Sequence, residues 1–195
     1  MPKVGMEPIR RAALVKATIA EIGEAGTLDV TVSQIAKRAG MSSGLAHHYF
    51  GGKDQIFLAA MRHTLALYAA EARGALSMAR TPQDRIGAIV RTSFSPSHFQ
   101  RDVIAAWLNF YVLAQSSQQA GHLLGIYQRR LRSNLIFALR PLVGSRSVDV
   151  AEQLAGMIDG LYLRQSLGQT LADPERAIRH VMRAVALELA QGPSR

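Results

Sequence analysis

The stretch Thr31–Phe50, TVSQIAKRAGMSSGLAHHYF, followed by Gly51, Gly52 and Lys53, decides how this chain is read. Thr31 and Gln34 stand at the Thr-x-x-Gln spacing of a capping box, with Ile35, Ala36 and Ala39 as a short apolar stripe behind it. That pattern predicts one compact helix. Gly40 supplies the backbone freedom to end it, Met41 can pack inward, and Ser42 can cap a second helix. Two helices joined by so short a turn cannot lie parallel. The expected arrangement is a helix-turn-helix, whose second helix fits a DNA major groove while the first crosses the backbone.

Upstream, Pro8 suits the first turn of a helix carrying Leu14, Val15, Ala17, Ile19 and Ile22 on its apolar side, until Gly23 and Gly26 weaken and stop it. Residues 1–6 are expected to form a loose basic arm. Lys3, Arg10 and Arg11 are placed either to touch phosphates or the minor groove, or simply to solvate a helix end. Downstream of Lys53 a helical pattern runs to about Met78, with Ile56, Phe57, Ala60, Met61, Leu65, Tyr68 and Ala72 on one side. Pro82, Pro96, Pro141 and Pro174 then punctuate segments that read as helices over about 82–94, 101–117, 121–143, 147–168 and 174–190. No segment alternates with a period of two. The fold class expected is all-α: a three-helix DNA-binding domain over 1–53, and a larger bundle of about six helices over 54–195.

Composition narrows the function classes. Of the 195 residues 48% are hydrophobic and 19% charged, and no run of 18 apolar residues lacks a charge, so no membrane span is expected. Glu7, Arg10 and Arg11 interrupt any signal-peptide pattern, and there is no Cys to form disulfides or a thiolate metal site. Both absences suit the cytoplasm. Twenty-three Lys and Arg against fourteen Asp and Glu give +9, which favours an anionic partner such as DNA. Within 1–53 the excess is smaller, because Glu7, Glu21, Glu24 and Asp29 offset seven basic residues. There is no Gly-rich phosphate loop, His-Glu-x-x-His or Gly-x-Ser-x-Gly, and His63, His98, His122 and His180 share no metal-ligand spacing. No catalytic site, metal or cofactor is therefore expected.

In the second helix of the motif, Ala46, Tyr49 and Phe50 should face the domain core, leaving Ser43, Gly44, Leu45, His47 and His48 towards DNA. Gly44 would let the backbone approach the duplex, and Ser43 could donate to a phosphate or a base edge. Leu45 fits two assignments, an apolar contact to a thymine methyl or a buried core residue. Adjacent His47 and His48 point about 100° apart, so they suit separate hydrogen bonds better than a shared metal ion.

The order Thr31-Val32-x-x-Ile35-Ala36-x-x-Ala39-Gly40-Met41-Ser42-x-Gly44-x-x-x-x-Tyr49-Phe50-x-x-Lys53 resembles the DNA-binding domain of the TetR family of bacterial repressors, over about residues 6–60. One position departs from many members, which carry an aromatic where this chain has His47. A non-aromatic residue there followed by His-Tyr-Phe, the opening MPKVGMEPIRR and the later Ile158-Asp159-Gly160-Leu161-Tyr162-Leu163-Arg164 are similar to the choline-responsive branch that controls glycine betaine synthesis. The resemblance implies an all-helical homodimer that binds operator DNA and senses a small molecule. It implies phosphate contacts from Tyr49 and Lys53, backbone amides at the helix starts near Val32 and Ser43, and Thr31, Ser33 and Ser42 among the DNA-facing residues. For Tyr49 a pure core role stays open.

Two reading helices one DNA turn apart would read a near-palindrome. The last two long helices, with Ala155, Gly156 and Gly160 among Leu154, Ile158, Leu161 and Leu163, and then Ile178, Val181, Val185 and Leu189, are apolar enough to bury more than one face. They are the expected dimer interface. For the effector, Trp107, Phe110 and Tyr111 place three rings on one helix face, a stripe that serves equally as ordinary core. Asp159 interrupts an apolar helix three residues before Tyr162 and needs a partner, Arg130, Arg164 or a bound cation; Tyr127 could close a ring around it. Rings plus one carboxylate suit a quaternary ammonium. The resemblance implies choline, and a repressor tuned to another small molecule, a drug or an acyl compound, is the alternative.

Overall fold

The computed structural model describes residues 5–168 and 172–192, so Lys3 and most of the expected basic arm lie outside the described residues. Among the described residues nine α-helices follow in order: α1 (Met6–Ala25), α2 (Val32–Arg38), α3 (Ser43–Phe50), α4 (Lys53–Met78), α5 (Pro82–Ser93), α6 (Arg101–Ser116), α7 (Gln118–Val143), α8 (Ser147–Ser166) and α9 (Pro174–Ala190). A short 3-10 turn, Pro96–Phe99, precedes α6, and no strand occurs among the described residues. No described helix is long and apolar enough to cross a membrane.

The chain forms two compact units, Met1–Leu65 with Gln100–Leu123, and Ala66–Phe99 with Leu124–Arg195. In the first, α1 packs on α2 and along α6, and α2 packs on α3. Leu14, Ile22, Ile35, Ala46, Ile56 and Met61 are fully buried. Gly23 and Gly26 mark the end of α1 as expected; the helix continues to Ala25 and ends at Gly26, whose φ of 69° only glycine adopts readily. Gly23 is also a packing glycine. A Cβ there would lie 2.4 Å from the Asp102 Cβ, so α6 can approach α1 only because Gly23 has no side chain. Asn109 of α6 adds a hydrogen bond from its amide to the Gly26 carbonyl, 3.1 Å.

The second unit has its own core, built from Ile86, Val90, Phe94, Leu135, Leu139, Leu154, Ile158 and Val181 among others. Helix α5 starts with a capping box between Thr81 and Asp84 and with Pro82 in its first turn. Asp173 caps α9 by accepting from the Arg176 amide at 2.8 Å. Along α8, Leu154 and Ile158 turn into this core while Gly156, Gly160 and Leu163 are exposed; along α9, Leu187 is 62% exposed.

Candidate nucleic-acid interface and effector site

The turn between α2 and α3 is built by local hydrogen bonds. The Thr31 amide donates to Gln34 Oε1 at 2.7 Å, and the Gln34 amide donates back to Thr31 Oγ1 at 3.2 Å. At the other end of α2, Gly40 at φ 68° lets the Met41 amide reach the Ala36 carbonyl at 2.8 Å and its own amide reach Lys37 at 3.1 Å. This pair of bonds is a Schellman closure, and it satisfies two carbonyls the helix end would otherwise leave open. Ser42 then accepts from the Leu45 amide at 3.3 Å and starts α3. Two ion pairs fasten α2 to α1: Arg38 holds Glu21 at 2.5 Å and also Glu24, whose carboxyl it keeps below the ordinary range by hydrogen bond and charge.

Among the sequence-predicted contacts, Thr31, Ser33, Ser42, Gly44, His47 and His48 are exposed, and Ser43, Leu45, Tyr49 and Lys53 are half-buried. Leu45 therefore sits between its two expected assignments. A Cβ on Gly44 would meet nothing within 4 Å, so the packing of this chain does not require a glycine there. His47 Nδ1 lies 3.4 Å from the Gly51 carbonyl oxygen. A carbonyl only accepts, so in this contact Nδ1 is the donor.

Ala46 is the fully buried residue of α3, whereas Tyr49 and Phe50 are only half-buried rather than wholly in the core. The reason lies in α1. The Arg11 guanidinium sits 5.6 Å from the centre of the Tyr49 ring and 5.1 Å from that of Phe50, and Arg10 donates to the Tyr49 hydroxyl at 3.4 Å. Arg11 also pairs with Glu7 at 2.8 Å. The start of α1 and the end of α3 thus form one basic and aromatic edge. Sequence spacing places Arg10 and Arg11 at a helix start but cannot show that they dock on Tyr49, since Arg10 and Tyr49 are 39 positions apart. Lys53 lies with Nζ 5.5 Å from the Phe57 ring.

The effector residues fall in both units and are described within each. In the first, Trp107 and Phe110 of α6 are buried, and the Trp107 and Tyr111 rings are 5.9 Å apart. In the second, the Tyr127 hydroxyl donates to Asp159 Oδ1 at 3.0 Å. The partner of Asp159 is thus this phenol; Arg130 and Arg164 are both exposed. Burial raises the Asp159 carboxyl above the ordinary range, and the Tyr127 hydrogen bond only partly opposes this.

Three residues that the sequence reading left outside the site complete this cluster. The Tyr68 ring meets Tyr127 edge-on at 5.4 Å and His98 at the same distance, and its hydroxyl lies 3.1 Å from Ser93 Oγ. Phe99 packs 5.1 Å from Tyr162, whose hydroxyl donates to the His98 carbonyl at 2.9 Å. Burial pushes the Tyr162 phenol up to about 12 and raises that of Tyr68 as well. His98 Nε2 is 3.3 Å from Glu71 Oε2 but not aligned to bond with it, and burial lowers the imidazole below its usual value despite that carboxylate. The cluster joins five rings to one carboxylate whose charge is opposed by burial. The available signal was Tyr68, the one residue with a polar group in a stripe otherwise made of Ile56, Phe57, Ala60, Met61, Leu65 and Ala72.

Comparison with known proteins agrees with this division of labour. Residues 14–60 match the model for bacterial regulatory proteins of the tetR family, and residues 82–190 match that for the C-terminal part of BetI-type transcriptional repressors. The HTH-type transcriptional regulator BetI of Brucella suis is 50% identical over 195 residues, covering 100% of this chain and 98% of that protein. The crystal structure of a transcriptional regulator from Pseudomonas aeruginosa PAO1 superposes with a TM-score of 0.83 at 26% identity, covering 94% of this chain and 91% of the other. A regulator from Saccharomonospora viridis, solved in complex with choline, shares the fold with a TM-score of 0.79 at 19% identity, over 90% of this chain and 95% of that one. With a family match on both segments and a full-length relative at this identity, the chain belongs to the TetR family, as a BetI-type transcriptional repressor rather than an enzyme.

Proposed function

We propose that this repressor controls genes of choline uptake and glycine betaine synthesis, that it binds its operator as a homodimer in the cytoplasm, and that choline relieves the repression. Residues 1–53 are the DNA-binding domain and 54–195 the effector and dimerisation domain. The observation that carries the choline reading is Asp159: a half-buried carboxylate, its charge opposed by that burial, with one phenol as partner and rings of Tyr68, Tyr127, Tyr162, Phe99 and His98 in the same cluster. A quaternary ammonium answers both needs. It neutralises the carboxylate without requiring a hydrogen bond, and each ring face adds about 0.5 to 2 kcal/mol. Trp107, Phe110 and Tyr111 are proposed as further effector contacts. The choline held by the Saccharomonospora viridis regulator shows that a protein of this fold can house that ligand.

On DNA, Ser33, Ser42, Ser43 and the basic edge of Arg10, Tyr49 and Lys53 supply phosphate contacts, while Gly44, Leu45, His47 and His48 face the bases. With its proton on Nδ1, His47 would offer Nε2 to an exocyclic amino group of adenine or cytosine. The exposed apolar residues of α8 and α9, Leu163 and Leu187, with the uncovered Gly156 and Gly160 between helix turns, support pairing with a second copy through these helices.

The test is fluorescence anisotropy on DNA from upstream of the gene, titrated with choline and with its neutral isostere 3,3-dimethylbutanol. Choline weakens operator binding and the neutral analogue does not. Unchanged affinity with choline would reject it as the effector, and equal action of the two would reject the role of Asp159.

A further inference from the structure

The second unit contains an open groove of about 760 Å³ between the α4–α5 connection, the start of α5 and the last turns of α7. Its size falls in the range of small-molecule sites, and its lining divides into two chemistries. Ala79, Pro82, Ile136, Phe137, Ala138 and Pro141 are apolar. Arg80, Arg85 and Arg140 bring three positive charges, and no lining residue is acidic. Among the described residues none of these arginines makes an ion pair.

Two details single out Arg85 and its neighbour Phe137. The Arg85 guanidinium stacks 5.0 Å from the centre of the Phe137 ring, which fixes its plane, and its Nε is buried with no acceptor. Arg85 lines the groove, so an anionic head group there meets a guanidinium already held against a ring. Phe137 is 67% exposed, an unusual position for a phenylalanine beside three uncompensated charges. The nearest acid in the sequence, Asp84, is committed elsewhere: it accepts from the Thr81 amide at 3.0 Å to cap α5, and this bonding holds its carboxyl below the ordinary range.

We propose that this groove binds single-chain anionic amphiphiles, with a carboxylate head held by Arg80, Arg85 and Arg140 and an alkyl chain laid over Ile136, Phe137 and Pro141. The charge disfavours cations, and the apolar side disfavours small hydrated anions. The site shares no residue with the cluster around Asp159 and stands or falls separately from the choline reading.

Isothermal titration of the full chain with laurate tests it, with acetate and dodecyl maltoside as controls for head and tail. Laurate binds, while each control binds about tenfold or more weakly. Arg85→Gln with Arg140→Gln weakens laurate by about tenfold or more, the exposed single change Arg140→Gln by a smaller factor, and Phe137→Ser by several-fold. Asp159→Asn leaves laurate binding unchanged. Equal binding by the double arginine variant, equal binding of dodecyl maltoside, or loss of laurate binding in Asp159→Asn would each overturn the assignment.

Discussion

The reading head and the Asp159 cluster both hold polar side chains, but they dispose of them in opposite ways. In α2 and α3 the hydroxyls of Thr31 and Ser42 cap their own helices, while Ser33, His47 and His48 are exposed, with Gly44 exposed among them. Around Asp159 the polar groups are turned inward and linked to one another, Tyr127 to Asp159, Tyr68 to Ser93 and Tyr162 to the His98 carbonyl. An outward display matches a large wet partner that brings its own hydrogen bonds. An inward cluster matches a small guest that must shed its water.

That contrast breaks most visibly at Gly44. Since a Cβ there meets nothing in the protein, Gly44→Gln should leave the melting temperature unchanged or slightly raised. Operator affinity should fall about a hundredfold, near 2.7 kcal/mol, measured by anisotropy. A variant that binds DNA normally would mean that α3 does not approach the duplex at this turn.

Inside the first unit the head rests on α6, and Gly23→Ala probes that support. The added carbon at 2.4 Å from Asp102 Cβ overpacks the α1–α6 crossing, so chemical denaturation should show a loss of about 2 kcal/mol. No loss would show that the crossing yields without cost.

For the inward cluster, Asp159→Asn should weaken choline about tenfold while operator binding without choline persists. The pH dependence has a definite sign. The folded carboxyl is raised above its unfolded value, so its contribution to stability is complete below the unfolded pKa and is lost as pH rises through the folded one. Choline needs the ionised form, and its affinity should climb through the same window. The asparagine variant flattens both profiles; a choline affinity that ignores pH in the wild type contradicts the role given to this carboxylate. The smallest effect is expected from Thr31→Ala, which removes one capping box and should cost about 1 kcal/mol in thermal unfolding, with operator affinity lowered only through α2.

How much of this was legible beforehand follows the range of the interactions. The capping box, the Gly40 turn, the Ser42 cap and the helix limits rest on neighbours within six residues, and spacing alone reveals them. Gly23 and Gly26 do mark the end of α1, but the packing role of Gly23 was not legible, because a helix-weakening glycine and a packing glycine look identical until α6 is laid beside it. Arg11 against Tyr49 and Phe50, and Tyr127 rather than Arg130 or Arg164 against Asp159, depend on which faces of distant helices meet. Periodicity gives each helix an inner face but not the rotation of one helix against another.

Trp107 is the chain's one tryptophan, nearly buried on α6 in the same unit as the reading head. Indole emission is sensitive to the polarity and mobility of its surroundings, so this protein carries an unlabelled optical gauge on the helix that underlies α1. A stopped-flow trace of that emission on mixing with operator or effector would time the rearrangement of the support directly, with no dye attached to the surface being read.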